Sequence, residues 1–283
     1  MPDDRDATPG TTQVATNAPG QGRAARSARS VASASLNLNL QRLALLVAVL
    51  IVWQILAGRV IPTFWISSPS LILTQLTSWW HSGQLVSGIV TTYTEMILGF
   101  LLGATAGIVI GCAFGWWRKL ADLLNVFIIA INSIPKIALA PLLILYLGIG
   151  LQMKVVLAAA IVFFIVFYNT YTGARDVDAD VIDGVRVMGA KKLAIFRYVI
   201  LPSAMVSMFA GLRVSVPFGM LGAITGEILA ANSGMGFLIM NSSAQFNTAG
   251  VFAALVVLIA MAGVVNGLVG LLENFLLRWK RNP

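Results

Sequence analysis

The sequence predicts an all-α, polytopic membrane protein with about six transmembrane helices. Composition supports this fold class, because 58% of the 283 residues are hydrophobic and only 11% are charged, whereas a soluble domain needs more charge to cover its surface. Residues 1–38 are rich in Ala, Ser, Thr, Gly and Arg and predict a disordered cytoplasmic tail. The membrane domain is expected at 39–283, with its core at 86–273.

Six apolar segments provide the second observation, because each is long enough to cross a bilayer core as a helix of about 20 residues. They lie at about 43–61, 86–114, 123–148, 155–174, 203–229 and 250–273. Between the first two, Trp65, Trp79 and Trp80 predict an interfacial loop and a short surface helix. Pro135 and Pro141 interrupt the third segment, which predicts either a kink without function or a cavity wall.

Basic residues provide the third observation, because cytoplasmic loops of membrane proteins carry an excess of Lys and Arg. With the N-terminus inside, the cytoplasmic segments contain 15 of the 19 basic residues, and the outer segments contain only Arg59 and Lys154. Both termini are therefore expected in the cytoplasm. The net charge of +8 flanks apolar spans and forms no basic stripe with interleaved aromatics, which argues for a lipid bilayer and against a nucleic-acid partner.

Residue types that are scarce in the sequence disfavour several functions. His81 and Cys112 are the only histidine and cysteine, so neither a metal site nor an internal disulfide is expected. A membrane-embedded enzyme would need a cluster of nucleophile, base or metal ligands, which this inventory does not supply. The sequence also lacks a G-x-x-x-x-G-K-[S/T] phosphate loop, so we expect no nucleotide cofactor on this chain.

Glycine recurs every four residues in the second span, at Gly99, Gly103, Gly107, Gly111 and Gly115. Residues at this spacing lie on one face of a helix, where the missing side chains allow another backbone to approach closely. The stripe therefore predicts a helix-packing seam. The partner helix could belong to the same chain or to a second subunit.

The longest cytoplasmic loop, residues 175–201, is called the elbow below. Asp178 and Asp180 suit a helix N-terminus, where carboxylates cap free N–H groups. Gly189 can end that helix in a left-handed conformation, and Pro202 stands where another helix can begin. We expect a helix–turn–helix with some exposed apolar surface, a shape that suits a groove on a partner.

The elbow resembles the "EAA" loop of binding-protein-dependent ABC importer permeases. That loop runs Glu-Ala-Ala, three residues, Gly-Ala, an apolar residue such as Phe, and finally Leu-Pro before a span. The matching residues here are Asp183, Gly184, Val185, Gly189, Ala190, Phe196, Leu201 and Pro202. The first three depart from Glu-Ala-Ala, and Gly184 costs about 1 kcal/mol of helix stability relative to Ala, whereas the later spacing is retained.

Other segments resemble the sulfonate/nitrate/taurine branch of the same family. They lie at 133–142, 147–150, 169–175, 211–213, 226–227 and 233–236, and the resemblance covers roughly residues 65–280. It implies a type I (MetI-like) permease fold in which the elbow contains a coupling helix. The residues expected to couple to the ATPase are Asp183, Gly184, Arg186, Gly189, Ala190, Lys191, Phe196, Leu201 and Pro202. A solvated loop without a partner is the alternative.

The resemblance also implies a function and a set of partners. The chain would be the permease subunit of an ATP-driven importer of a small anion, such as a sulfonate, taurine or nitrate, in the bacterial inner membrane. It would work with a second copy of itself, a cytoplasmic ATPase dimer that binds ATP and Mg, and an external solute-binding protein. An ion-gradient-driven secondary carrier is the alternative, and it should show buried acidic groups and an inverted repeat.

Polar residues in or near the spans are candidates for a translocation path, namely Asn132, Ser133, Lys136, Arg213 and Glu227. Ionisable groups at membrane depth are costly and usually face a cavity or a partner, and a cationic path would suit an anionic cargo. The alternatives are structural. Lys136 and Arg213 could pair within the fold, Arg213 for instance with helix-end carbonyls. Glu227, near the outer end of the fifth span, could gate the path or meet the binding protein, and Glu95 and Glu227 could instead be solvated at an interface.

Overall fold

The computed structural model describes residues 40–277, apart from the side chains of Arg118, Leu120 and Asn125. This part of the chain is predominantly helical and contains no β-strand beyond an isolated bridge between Ala57 and Ile61. The all-α prediction is therefore confirmed. The predicted tail at 1–38 lies outside the described residues.

The helices follow one another with short connections. In chain order they are α1 (Leu40–Leu56), α2 (Thr63–Ile66), α3 (Pro69–His81), α4 (Gln84–Trp116), α5 (Arg118–Asn132), α6 (Ala140–Leu147), α7 (Leu151–Arg175), α8 (Ala179–Val187), α9 (Lys192–Ile195), α10 (Leu201–Ala230), α11 (Met235–Ala244) and α12 (Thr248–Leu276). A 3-10 turn (Lys136–Leu139) precedes α6, and a π-helical segment (Phe196–Ile200) joins α9 to α10.

Four of the described helices are long and apolar enough to cross a membrane: α4, α7, the continuous helix Lys192–Ala230, and α12. A fifth crossing is formed if the pair Val126–Asn132 and Lys136–Leu147 counts as one span. α1 is apolar but shorter, and it belongs to a separate compact unit that ends at Ile55. Each predicted span overlaps one of these helices or the bent pair, but only four or five of the described segments are long enough to cross a membrane, so the predicted figure of about six is approximate.

The third predicted span is not a straight helix. Its two halves meet at an angle of 75°, and Pro135 at the junction has extended backbone angles. Proline has no N–H for the helical ladder and disfavours a helical conformation in the residue before it. The predicted interruption is therefore present at Pro135. Pro141 instead falls in the first turn of α6, where proline is tolerated.

The glycine stripe of α4 packs against α7 in the same chain. A Cβ atom on Gly107 would lie 2.9 Å from both the Phe163 carbonyl oxygen and the Phe167 amide nitrogen. A Cβ on Gly111 would lie 2.8 Å from the Thr170 Cβ. The seam is therefore intramolecular, and only glycine allows the two backbones to come this close.

α10 packs on another side of α7 through a second series of glycines. A Cβ atom on Gly222 would lie 2.6 Å from the Ala158 Cα, and one on Gly211 would lie 2.6 Å from the Asn169 Cβ. α7 is thus held between α4 and α10, and a large share of its residues is buried. These three helices form the core that positions the elbow at one end.

α3 and α11 pack at the end of this core that lies away from the elbow. The predicted surface helix is α3, whose N-terminus is capped by the Ser68 hydroxyl and begins with Pro69. It is tied to the chain before α12 by the Asn247 side chain, whose amide donates to the Gln75 side-chain oxygen at 3.0 Å. α12 is joined to α4 by the Tyr93 hydroxyl, which donates to the Met261 carbonyl at 3.1 Å.

The close approach at Gly107 makes a testable prediction. We expect Gly107→Ala to destabilise the purified transporter by about 1–3 kcal/mol, because the new methyl group overpacks a rigid backbone contact. Gly267→Ala on α12 is the matched control, since a methyl group added at that glycine would enter open space, and there the better helix propensity of alanine applies. Thermal unfolding measures both. Equal unfolding midpoints for the two variants would contradict the packing.

Candidate functional site: the elbow and the charged residues of the core

The elbow contains the predicted helix–turn–helix. α8 begins after Asp178, whose carboxylate accepts a hydrogen bond from the Asp180 amide at 2.9 Å. Within α8, Arg186 pairs with Asp183 one turn earlier at 2.5 Å. The capping predicted from the aspartates is therefore present at Asp178, and two candidate coupling residues, Asp183 and Arg186, contact each other.

Gly189 ends α8 as predicted from its position. Its φ angle is +87°, a left-handed conformation that glycine adopts without the strain of a side chain. The Gly189 and Ala190 amides donate to the Arg186 and Val185 carbonyls at 2.9 Å and 3.2 Å. The turn therefore satisfies the last carbonyls of α8 and redirects the chain to Lys191 and α9.

The second half of the elbow differs from the expectation at Pro202. No new helix begins there, because α9, the π-helical segment and α10 form one continuous helix from Lys192 to Ala230. The Leu201 amide donates to the Phe196 carbonyl, five residues back. A π turn of this kind changes the hydrogen-bond register just before Pro202, which has no N–H to donate.

One aromatic contact anchors the elbow to the core. Phe196 packs edge-on against Trp116 at the end of α4, with ring centroids 4.6 Å apart. Nearby, Gly115 of α4 faces Ala174 of α7. Phe196 therefore links the segment after α9 to the end of α4, which in turn packs on the end of α7.

The tip of the elbow exposes apolar side chains. Val187 and Met188 are 88% and 87% exposed, and Leu193 follows on the next turn at 68%. Gly189 lies between them and has open space around its Cα. An exposed apolar tip flanked by Asp183, Arg186 and lysines is the kind of surface that a partner covers.

The candidate path residues near the third span lie together at the break. The Lys136 ammonium donates to the backbone and side-chain oxygens of Asn132, the latter at 2.7 Å, and lies 4.6 Å from the centroid of the Phe164 ring. The Ser133 hydroxyl donates to the Ile129 carbonyl at 2.9 Å. Lys136 has no carboxylate partner among the described residues.

Arg213 is paired within the fold. Its guanidinium contacts the Glu273 carboxylate of α12 at 2.6 Å, and a methyl group on Gly270 would lie 3.0 Å from it. The structural alternative therefore holds for Arg213, but its partner is a carboxylate and not the helix-end carbonyls. The pair joins α10 to α12.

Glu227 is buried and not solvated. It is 1% exposed, and its carboxylate accepts hydrogen bonds from the Thr92 hydroxyl and the Gly236 amide, both at 2.6 Å. Thr92 in turn accepts from the Met235 amide at 2.9 Å. Glu227 therefore fastens the turn between α10 and α11 to α4, and the alternative that it is solvated at an interface does not hold.

The structure adds a buried contact between Lys154 and Glu95 that was not expected. Lys154, assigned above to an outer segment, lies inside α7 and is 6% exposed. Its ammonium donates to the Glu95 carboxylate at 2.5 Å, and Glu95 is 2% exposed. The alternative that Glu95 is solvated at an interface therefore does not hold. Burial of Lys154 is tolerable because the Glu95 carboxyl group accepts a hydrogen bond from it, and the Glu227 carboxyl group is buried in the same cluster.

A sequence signal for this cluster exists in the glycine pattern. Glu95 stands four residues before Gly99 and so continues the stripe that packs on α7. Near Glu227, a methyl group on Gly226 would lie 2.8 Å from the Lys154 Cγ, and one on Gly236 would lie 2.8 Å from the Glu227 Cβ. Gly226 and Gly236 leave room for the Lys154 and Glu227 side chains, so the glycine pattern could have predicted the cluster.

Comparison with known proteins identifies the family. The sequence model of the "Binding-protein-dependent transport system inner membrane component" family matches residues 99–278, more than half of the chain. The chain belongs to this family. The resemblance based on the elbow is thereby confirmed, and family membership favours an ABC importer permease over a secondary carrier.

Similar permeases have names that cover several cargoes. A candidate aliphatic sulfonates transport permease of Bacillus subtilis (strain 168) is 32% identical over 240 residues, which cover 84% of this chain and 87% of that protein. A riboflavin transport system permease of Chloroflexus aurantiacus is 32% identical over 238 residues, 83% and 88% of the two chains. A formylaminopyrimidine transport permease of Halalkalibacterium halodurans is 28% identical over 232 residues, 82% and 92%.

A solved structure confirms the fold of this permease. An inward-facing structure of the MetNI methionine ABC transporter superposes with a TM-score of 0.54 at 19% sequence identity. The match covers 71% of this chain and 96% of the other. The expected MetI-like fold is therefore present. As a permease subunit, the protein is not the enzyme of the transporter, since ATP is hydrolysed by a separate subunit.

The Arg213–Glu273 pair makes a prediction that separates a structural role from a role in the path. Arg213→Gln and Glu273→Gln should each destabilise the permease, and the double variant should be less unstable than the sum of the two by about 0.5–3 kcal/mol, as expected for residues in contact. Thermal unfolding of the purified transporter measures this coupling. Effects that add to within about 0.5 kcal/mol would contradict it.

Proposed function

We propose that this permease imports a small anionic solute of the sulfonate, taurine or nitrate type, driven by a cytoplasmic ATPase that docks on the elbow. Membership of the family establishes that the chain is an ABC importer permease. The observation that supports docking is the exposed apolar tip at Val187 and Met188, beside the open turn at Gly189. Burying this tip in an ATPase groove would remove the cost of exposing it to water.

The elbow is well placed to transmit movement. α9 continues into α10 through the π-helical segment, in which Phe196 contacts Trp116. A displacement of α8 would therefore act on one end of the α4–α7–α10 core. ATP and Mg would be bound by the ATPase subunits, and both permease termini would lie on the cytoplasmic side with the elbow, as the distribution of basic residues favours.

The transporter would contain two copies of this permease, with the cargo path between them. The broken span supports this arrangement, because Ile131, Ile134 and Ile137 around the break are exposed. A second copy would cover these residues and enclose the polar groups at the break. Movement of the elbows would then alternate the access of this path between the two sides of the membrane.

Lys136 is the residue proposed to attract the anionic cargo. Arg213 is already neutralised by Glu273, whereas the described neighbours of Lys136, the oxygens of Asn132 and the ring of Phe164, leave its charge uncompensated. Asn132 and Ser133 would supply further polar contacts at the same break. Sulfonate cargo is also the function in the names of two similar proteins, those of Bacillus subtilis and Escherichia coli (strain K12).

Docking at the elbow is tested by copurification of the tagged permease with its ATPase. Met188→Asp and Gly189→Asp should each abolish recovery of the ATPase, because they place a charge in the apolar tip or strain the turn. Asp180→Asn is the matched control, since it changes a charge in the same helix outside the tip and should leave recovery unchanged. Full recovery with both tip variants would disprove docking at this site.

The role of Lys136 is tested by initial uptake rates of a sulfonate in cells that express the complete transporter. Lys136→Gln should lower the rate by about tenfold, which corresponds to the loss of about 1.4 kcal/mol. Lys136→Arg retains the charge and should stay within about threefold of wild type. Uptake by the Gln variant at the wild-type rate would show that the charge does not attract the cargo.

A further inference from the structure

A buried polar cluster at the end of the core away from the elbow contains two carboxyl groups but only one ammonium group. Its members are Glu95 on α4, Lys154 on α7 and Glu227 on α10, together with Thr92 and the Gly236 amide. With all three side chains ionised, two carboxylates face one ammonium. The cluster would then carry a net negative charge in the membrane interior, where an uncompensated charge is costly.

One carboxylate oxygen of this cluster lacks a hydrogen-bond donor. Glu95 Oε1 accepts from the Lys154 ammonium at 2.5 Å, but Glu95 Oε2 is buried and receives no hydrogen bond from any described donor. The Glu227 carboxyl group lies beside Glu95, because it accepts from Thr92, which stands three residues before Glu95 on the same helix, and it is within hydrogen-bonding reach of Glu95. Two carboxylates in such contact cannot both be ionised at low cost.

A proton on Glu95 Oε2 satisfies every group at once. It would donate to the Glu227 carboxylate, while Oε1 still accepts from Lys154. Glu227 is the better site for the negative charge, because the Thr92 hydroxyl and the Gly236 amide already donate to it at 2.6 Å. With Lys154 positive, Glu227 negative and Glu95 neutral, the cluster has no net charge.

We propose that Glu95 is protonated at neutral pH and donates a hydrogen bond to the Glu227 carboxylate. The bond joins α4 to α10, and through Glu227 and Thr92 it holds the turn that contains Gly234 and Gly236. Among the described residues that meet at this point, the ionisable side chains are Glu95 from α4, Lys154 from α7 and Glu227 from α10, whereas α11 contributes backbone amides. This assignment does not depend on the cargo or on the ATPase.

Two glutamine variants test the position of the proton. Glutamine at 95 reproduces the protonated acid, since its carbonyl can accept from Lys154 and its amide can donate to Glu227. Glu95→Gln should therefore keep the unfolding midpoint of the purified transporter within about 2 °C of wild type. Glu227→Gln replaces one of the two oxygens that accept from the Thr92 hydroxyl and the Gly236 amide with an amide donor, and it should lower the midpoint by at least about 5 °C.

Infrared spectroscopy of the same samples at neutral pH detects the proton directly, because a protonated carboxyl group has a carbonyl stretch that a carboxylate lacks. Wild type and the control Glu273→Gln should show this band, and Glu95→Gln should not. A wild-type spectrum without the band would overturn the proposal. Loss of the band in Glu227→Gln with retention in Glu95→Gln would also overturn it, as would failure of Glu95→Gln to fold.

Discussion

Close contact between α7 and the glycine faces of α4 and α10 is the constraint on which the rest of the structure depends. Helices in a membrane gain little from the hydrophobic effect when they associate, so their stability depends on van der Waals contact between closely approaching backbones. The stripe from Gly99 to Gly115 and the glycines at 211 and 222 permit that contact along the length of α7. Because backbone atoms make this contact, the three helices cannot separate without losing all of it.

This packing suits the proposed role of the chain in transmitting movement from the elbow to the opposite end of the core. At one end the continuous helix through Phe196 and Leu201 connects the elbow to the core, and the Trp116 contact supports it. At the other end Glu95, Lys154 and Glu227 join the same three helices through buried polar contacts. A core that is held at both ends and packed between them is suited to move as a single body, so that a displacement at α8 is not lost within the subunit.

The features that the sequence predicted are those with a local cause. The period of four in the glycines requires a single packed face, the φ angle of Gly189 follows from its place after an amphipathic turn, and Asp178 caps the helix that it precedes. Features formed by residues distant in the chain were missed or misplaced. Lys154 was assigned to an outer segment because its partner Glu95 is 59 residues away, and the carboxylate partner of Arg213 lies on another helix. The π turn before Pro202 arises from continuity of α9 with α10, which hydropathy alone does not reveal.

We expect the α4–α7–α10 core to move as one body when the ATPase brings the elbows of the two copies together. Distances between spin labels at Asp180→Cys and Ser243→Cys, in a Cys112→Ser background, test it most directly in the reconstituted transporter. With each complex carrying one labelled copy, the distance from α8 to α11 within a chain should be the same with and without ATP. In complexes where both copies carry only the α8 label, the distance between the two labels should shorten on ATP binding. A within-chain distance that changes with ATP, while the distance between copies does not, would contradict the account.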